Sequence, residues 1–140
     1  MSTSIVNSAI MPPMALVVAA HATEFEQIAH SLSSVYRMVK ATTLGEATTR
    51  LRQEKPALIV LDPYDLPDGD GLEWLRYLRN NPATQDLVVA CVTTHSSVRD
   101  KVSGFLAGAD DYIVPPINSE TFAYRLRLLV RIGRHAAWKQ

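Results

Sequence analysis

The chain has 140 residues, with 14 basic and 14 acidic side chains and 47% hydrophobic residues. That length accommodates one domain, and the apolar fraction supports a core and excludes extended disorder. Balanced charge removes any overall pull toward nucleic acid, anionic membrane or a highly charged substrate. The single cysteine, Cys91, excludes an internal disulfide. No Cys/His spacing fits a structural zinc site, which suits a reducing, cytoplasmic setting.

Residues 1–13 read as a flexible N-terminal tail. It is rich in Ser, Thr and small residues, has no basic start or sustained apolar stretch for a secretory signal, and is ended by Pro12-Pro13. No segment is long and apolar enough to cross a bilayer. The run MALVVAA, Met14 to Ala20, is apolar without alternation, as expected of a central parallel strand covered on both faces. His21 or Thr23 then opens a helix with Phe25, Ile28, Ala29 and Leu32 at helical spacing, its early acids suiting a helix N-terminus. A short strand at Tyr36 to Lys40 precedes a helix bearing Leu44, Ala47 and Leu51, which Pro56 stops. The strand Ala57 to Asp62 leads through the loop PYDLPDGDG into a helix with Leu72, Leu75 and Leu78 on one stripe. LVVACVT is a fourth strand, SSVRDKVSGFLAG a fourth helix closed by Gly108, DYIV a fifth strand, and Ser119 starts the last helix.

Regular alternation of strand and helix predicts a parallel α/β sheet with helices on both faces, because parallel neighbours require crossover connections. The domain is expected over 14–134, with 135–140 ending the last helix or starting a linker. Chemistry in such sheets gathers where strands end. Those ends are Ala19-Ala20-His21, Asp62, Thr93-Thr94 and Val114-Pro115-Pro116.

Two passages, PALIVLDPYDLPDGDGLEWLRYLR and GFLAGADDYIVPP, resemble the receiver domain of bacterial response regulators, the CheY-like superfamily, and the likeness extends from Met14 to about Arg134. The resemblance implies a flavodoxin-like (βα)5 fold, a five-stranded doubly wound parallel sheet in the order 2-1-3-4-5. It also implies a non-enzymatic place in two-component (phosphorelay) signal transduction, with a histidine kinase or another signalling protein as partner. Carried over by position, it makes Asp62 the phosphoacceptor, Thr93 the hydroxyl ending strand four, and Tyr112 the aromatic that changes rotamer. Three features depart from the pattern: Ala19 and Ala20 replace the acidic pair after strand one, Pro115 replaces a lysine, and the loop after Asp62 carries one extra residue.

Phosphoryl transfer to a carboxylate needs charge neutralised on the transferring group. With Asp62 as the lone carboxylate, Mg²⁺ is expected to bind poorly, so no cofactor is assigned and phosphorylation is read as impaired, the domain being a pseudo-receiver that works by protein contacts. The alternative is a working phosphoacceptor at Asp62 with an atypical metal site completed by Asp65, Asp68 or Asp70, although turn chemistry and helix capping are the plainer roles of these three. Thr93 and Tyr112 also have plain readings, as strand-end hydroxyl and core aromatic, and the isomer at Pro116 is open.

Other chemistries fit less well. AAHATE lacks the glycines of a dinucleotide-binding turn, Cys91 has His95 nearby as a base for a nucleophile but sits in the apolar run VVACV, where a thiol reads as core packing, and His21, His30, His95 and His135 share no ligand spacing. The last helix sets Arg125, Arg127, Arg131, Arg134 and Lys139 among Phe122, Leu126, Leu129 and Val130, which reads as a solvated basic face, with Ile132 and Trp138 available for contact. The resemblance to receiver domains implies homodimerisation, or docking to another signalling protein, through the strand-four to strand-five face. Nucleic-acid binding by this helix is the other-class alternative, unsupported by any stacking pattern or helix-turn-helix.

Overall fold

The computed structural model describes residues 11–133. The strands are β1 (Met14–Val18), β2 (Arg37–Ala41), β3 (Leu58–Leu61), β4 (Val89–Val92) and β5 (Asp111–Ile113). They alternate with α1 (Ala22–Leu32), α2 (Leu44–Gln53), α3 (Gly71–Arg79), α4 (Val98–Ala107) and α5 (Ser119–Ile132). All pairings are parallel and the order is β2-β1-β3-β4-β5, the flavodoxin-like arrangement expected from the alternation and the resemblance. Arg134, His135, Trp138 and Lys139, and most of the tail read over 1–13, lie outside the described residues. Among the described residues, no helix is long and apolar enough to cross a membrane.

The absence of alternation in the strands has a direct packing cause. Leu16, Val18, Ile59, Leu61, Val89 and Cys91 meet Leu44, Ala47, Leu75, Leu78 and Ala107 from α2, α3 and α4 on one face. Ala15, Val17, Leu58, Val60, Ala90 and Val92 meet Ile28, Leu32, Phe122 and Leu126 from α1 and α5 on the other. Both faces are therefore buried, and every position of β1, β3 and β4 must be apolar.

Helix ends are set by short polar side chains. Thr43, Asp70, Ser97 and Asn118 accept from backbone N–H groups of α2, α3, α4 and α5, satisfying donors that a helix leaves open. α4 closes at Gly108, whose φ of 119° is left-handed. The strands stop short of their apolar runs: β1 ends at Val18, so Ala19 and Ala20 fall just past it.

Arg79, at the end of α3, joins the last two βα units. Its Nε donates to the Gly108 carbonyl at 2.9 Å, its Nη1 to the Leu87 and Gln85 carbonyls at 2.6 and 3.1 Å, and its Nη2 to Asp110 Oδ2 at 3.1 Å. Asp110 Oδ2 also accepts from the Val89 N–H at 2.9 Å. Both side chains are almost fully buried, so one guanidinium fixes the starts of β4 and β5 to α3.

Candidate functional site

In the parallel register Val18 lies beside Ala41 and Leu61, which brings the ends of β1 and β3 together where the strand order reverses. Asp62 follows Leu61 there and is partly exposed. Its N–H donates to the Val18 carbonyl at 2.9 Å, and its Oδ1 accepts from the Tyr64 N–H at 3.2 Å, an Asx turn that starts the β3–α3 loop. Ala19, 2% exposed, and Ala20 offer no polar side-chain atom. Pro115, past β5, is joined to Pro116 by a cis peptide bond.

The enlarged loop is closed on itself. The Gly71 N–H donates to the Pro63 carbonyl at 3.1 Å, and a Cβ on Gly71 would stand 2.4 Å from Pro63 Cα, so only glycine permits this approach. Asp68 turns away from Asp62. Its two carboxylate oxygens accept from the Leu44 and Gly45 N–H groups at 2.8 and 2.9 Å, and these bonds at the start of α2 hold its carboxyl below the usual range. Asp70 caps α3 through the Leu72 N–H at 2.8 Å. Asp65, at φ 65°, stays close enough to act electrostatically on the site.

A second carboxyl acts on Asp62 from α1. Glu24, in the first turn of α1, lies near enough to Asp62 for the two carboxyls to act on each other. Burial at the edge, followed by Asp62 and then Asp65, pushes the Glu24 carboxyl up to about 8, against the opposing pull of the His21 backbone N–H. His21 is the N-cap of α1 and contributes no side-chain cap. Glu24 is the third helical residue, the position from which a glutamate reaches back toward the N-cap. Its early acidic position was legible in the sequence, but only as a favourable charge for the helix.

Thr93 is 1% exposed; its Oγ1 accepts from the His95 N–H at 3.3 Å. Tyr112 is buried and turned inward, its hydroxyl donating to the His95 carbonyl at 2.6 Å. Burial raises that hydroxyl well above the ordinary tyrosine range. Tyr64 lies flat on the His95 ring, centroids 3.7 Å apart at 15°, so the β3–α3 and β4–α4 loops meet over the edge. His95 thus stacks on Tyr64 while staying exposed, and His21 and His30 are exposed too. Cys91 is buried and its thiol is pushed up to about 12 by that burial, the condition of an unreactive core thiol.

The Mg²⁺ implied by the resemblance does not match this donor set. Mg²⁺ requires near-octahedral oxygen ligation. Here the side chains of Ala19 and Ala20 supply none, and one oxygen of Asp62 already accepts from the Tyr64 N–H. Among the described residues, no group of three or more His, Cys, Asp or Glu is placed to hold a metal.

The family model for the response regulator receiver domain matches residues 15–127. The chain belongs to that family. It is 39% identical over 101 residues to the KDP operon transcriptional regulatory protein KdpE of Escherichia coli K12, covering 72% of this chain and 42% of that protein. It is 31% identical over 96 residues to the phosphate regulon transcriptional regulatory protein PhoB of the same organism, covering 69% of this chain and 42% of PhoB. The chain thus spans less than half the length of these relatives. Among solved structures, a response regulator from Chloroflexus aurantiacus superposes with TM-score 0.80 at 26% identity over 86% of this chain and 98% of that one. The signal receiver domain of a histidine kinase from Syntrophus aciditrophicus gives 0.76 at 28% identity, over 85% and 90%.

Proposed function

We propose that this receiver domain is a regulatory module of a cytoplasmic two-component pathway that has no catalytic activity of its own, carries no resident metal and signals mainly through protein contacts, with Mg²⁺-dependent phosphorylation of Asp62 impaired. The observation that carries this reading is the surroundings of Asp62: Ala19, Ala20 and Pro115 stand at the helper positions, and the one added group, Glu24, is an acid rather than a cation. Charge on a transferring phosphoryl group is left without a neutralising partner. Thr93 and Tyr112 keep their positions, and their buried, bonded states favour a static role.

The partner is a histidine kinase or another signalling protein, or a second copy of the chain docked on the β4–β5 side. There α4 exposes Val98 (77%), Val102 (49%), Phe105 (49%) and Leu106 (79%), an apolar stripe that monomers rarely leave bare. On the neighbouring edge Arg125 forms a two-pronged bond with Asp111, at 2.5 and 2.6 Å. That pairing commits one of the cations on which nucleic-acid binding by α5 would depend, so the protein-contact reading is preferred.

The test is mass spectrometry of the purified chain after treatment with a small phosphodonor, with Mg²⁺ titration and beryllofluoride binding, beside Asp62→Asn. The expected result is little or no phosphate and no saturable Mg²⁺ binding in the low-millimolar range. Stoichiometric phosphate that disappears in Asp62→Asn would overturn the proposal.

A further inference from the structure

Two loops cross the carboxyl edge of the sheet and meet in one ring contact. Tyr64 lies two residues past Asp62, and its N–H is held by Asp62 Oδ1 at 3.2 Å. His95 lies two residues past Thr93, and its N–H is held by Thr93 Oγ1 at 3.3 Å. Between them the Tyr64 and His95 rings stack, centroids 3.7 Å apart and planes 15° from parallel. The His95 carbonyl in turn accepts from the Tyr112 hydroxyl at 2.6 Å. We infer that the Tyr64–His95 stack is a latch: by fixing the β4–α4 loop it holds Tyr112 inward and so sets the shape of the adjoining α4–β5 surface. The inference goes beyond the protein-contact reading above and stands whether or not Asp62 takes phosphate.

Tyr112 depends on that loop for its polar partner. The residue is 6% exposed, and its ring lies among apolar groups of α4: a Cβ on Gly104 would stand 2.7 Å from Cδ2, and the Phe105 ring is 6.4 Å away. A buried hydroxyl that loses its acceptor bears its full desolvation cost, so Tyr112 stays inward while the His95 carbonyl stays in place. The β4–α4 loop has little burial to keep it there, since Thr94, His95, Ser96 and Ser97 are all exposed, and the bond from His95 to Thr93 is local. Tyr64 ties it to a different βα unit. Tyr64 is itself anchored, by the turn on Asp62 and by the Gly71 N–H on the Pro63 carbonyl at 3.1 Å, which closes its loop. A change at Asp62 Oδ1, or a partner pressing on this loop, therefore reaches Tyr112 through the stack, with no use of the cation that Pro115 replaces. The result is felt on the docking side, where Tyr112 lines a groove of about 390 Å³ with Lys101, Val114, Pro116, Thr121 and Arg125.

The experiment is ¹⁹F NMR of the full chain labelled with 3-fluorotyrosine, with a soluble gadolinium chelate as the probe of exposure and Tyr112→Phe to assign the Tyr112 signal. In the parent chain Tyr112 should give one signal, little broadened by the chelate. Tyr64→Ala and His95→Ala each remove one ring of the stack and leave the His95 carbonyl in the chain. In either variant Tyr112 should show exchange broadening or a second signal, and chelate broadening should report an outward population raised about fivefold or more. Tyr64→Phe keeps the stack and should match the parent. The double alanine variant should release Tyr112 no further than either single one, because both break the same contact. A Tyr112 signal that stays single and shielded in both alanine variants overturns the latch. So does additive release in the double variant, or release in Tyr64→Phe equal to that in Tyr64→Ala, which would trace the effect to the Tyr64 hydroxyl. His95 is exposed, so His95→Ala keeps the test decisive if Tyr64→Ala fails to fold.

Discussion

Replacing Gly104 with alanine tests whether the surface of α4 holds Tyr112 inward. A Cβ on Gly104 would fall 2.7 Å from Tyr112 Cδ2 and 2.8 Å from Cε2, against about 3.5–4.0 Å for carbon atoms at rest. In favour of the variant is helix propensity, about 0.8–1 kcal/mol for alanine over glycine. Against it are about 1–3 kcal/mol for overpacking and about 0.5–1.5 kcal/mol for the Tyr112 hydroxyl bond to the His95 carbonyl, lost if the ring is driven out. The contact outweighs the propensity, and Gly104→Ala should lose about 1–3 kcal/mol net. In a Tyr112→Ala background the new methyl enters vacated space and only the propensity gain remains, so the same change should be neutral or stabilising by up to about 1 kcal/mol. The assay is urea unfolding of the four proteins followed by circular dichroism. A coupling of about 2 kcal/mol is expected, well above the roughly 0.3–0.5 kcal/mol within which independent sites add. Equal effects of Gly104→Ala in the two backgrounds would refute the reasoning.

Arg79→Ala removes the cation paired with the almost fully buried Asp110 carboxylate and strips donors from three backbone carbonyls; breaking such a pair costs about 3–5 kcal/mol, read by urea unfolding, and a loss under 1 kcal/mol would mean the pair is solvated. Asp68 has its carboxyl held below the usual range by the α2 N–H groups, so its contribution is present above the unfolded-state value and lost as pH falls through the depressed folded value. Asp68→Ala should therefore lower the melting temperature at pH 7 and converge with the parent chain in strong acid; equal differences at both pH values would contradict this. Leu106→Glu, which places charge on the exposed α4 stripe, should abolish any self-association seen by sedimentation equilibrium while leaving the melting temperature nearly unchanged. Persistence of the parent's association in that variant would move the interface elsewhere.

Where one position decided an element, the sequence was a reliable guide. β1, β3 and β4 are buried on both faces, so the apolar requirement falls on every residue and shows as an unbroken run. Caps such as Asp70, and the turn at Gly108, are equally local. Arg79 escaped notice because its partners, Gly108, Asp110, Gln85 and Leu87, come from connections that meet only after three elements have packed. The stacking of Tyr64 on His95 is of the same kind, as it needs two loops to converge. Glu24 is different, because the fold class already contained the information. In a βα unit the strand's carboxyl end feeds directly into the helix N-terminus, so the first turns of helices surround the same edge on which strand-end residues are exposed. An acid three residues into α1 therefore has two readings, a charge that suits the helix and a carboxyl that reaches the neighbouring strand end, and the second follows from the topology alone. With Ala19 and Ala20 at the end of β1, that second reading becomes consequential, because the carboxyl that acts on Asp62 comes from a helix.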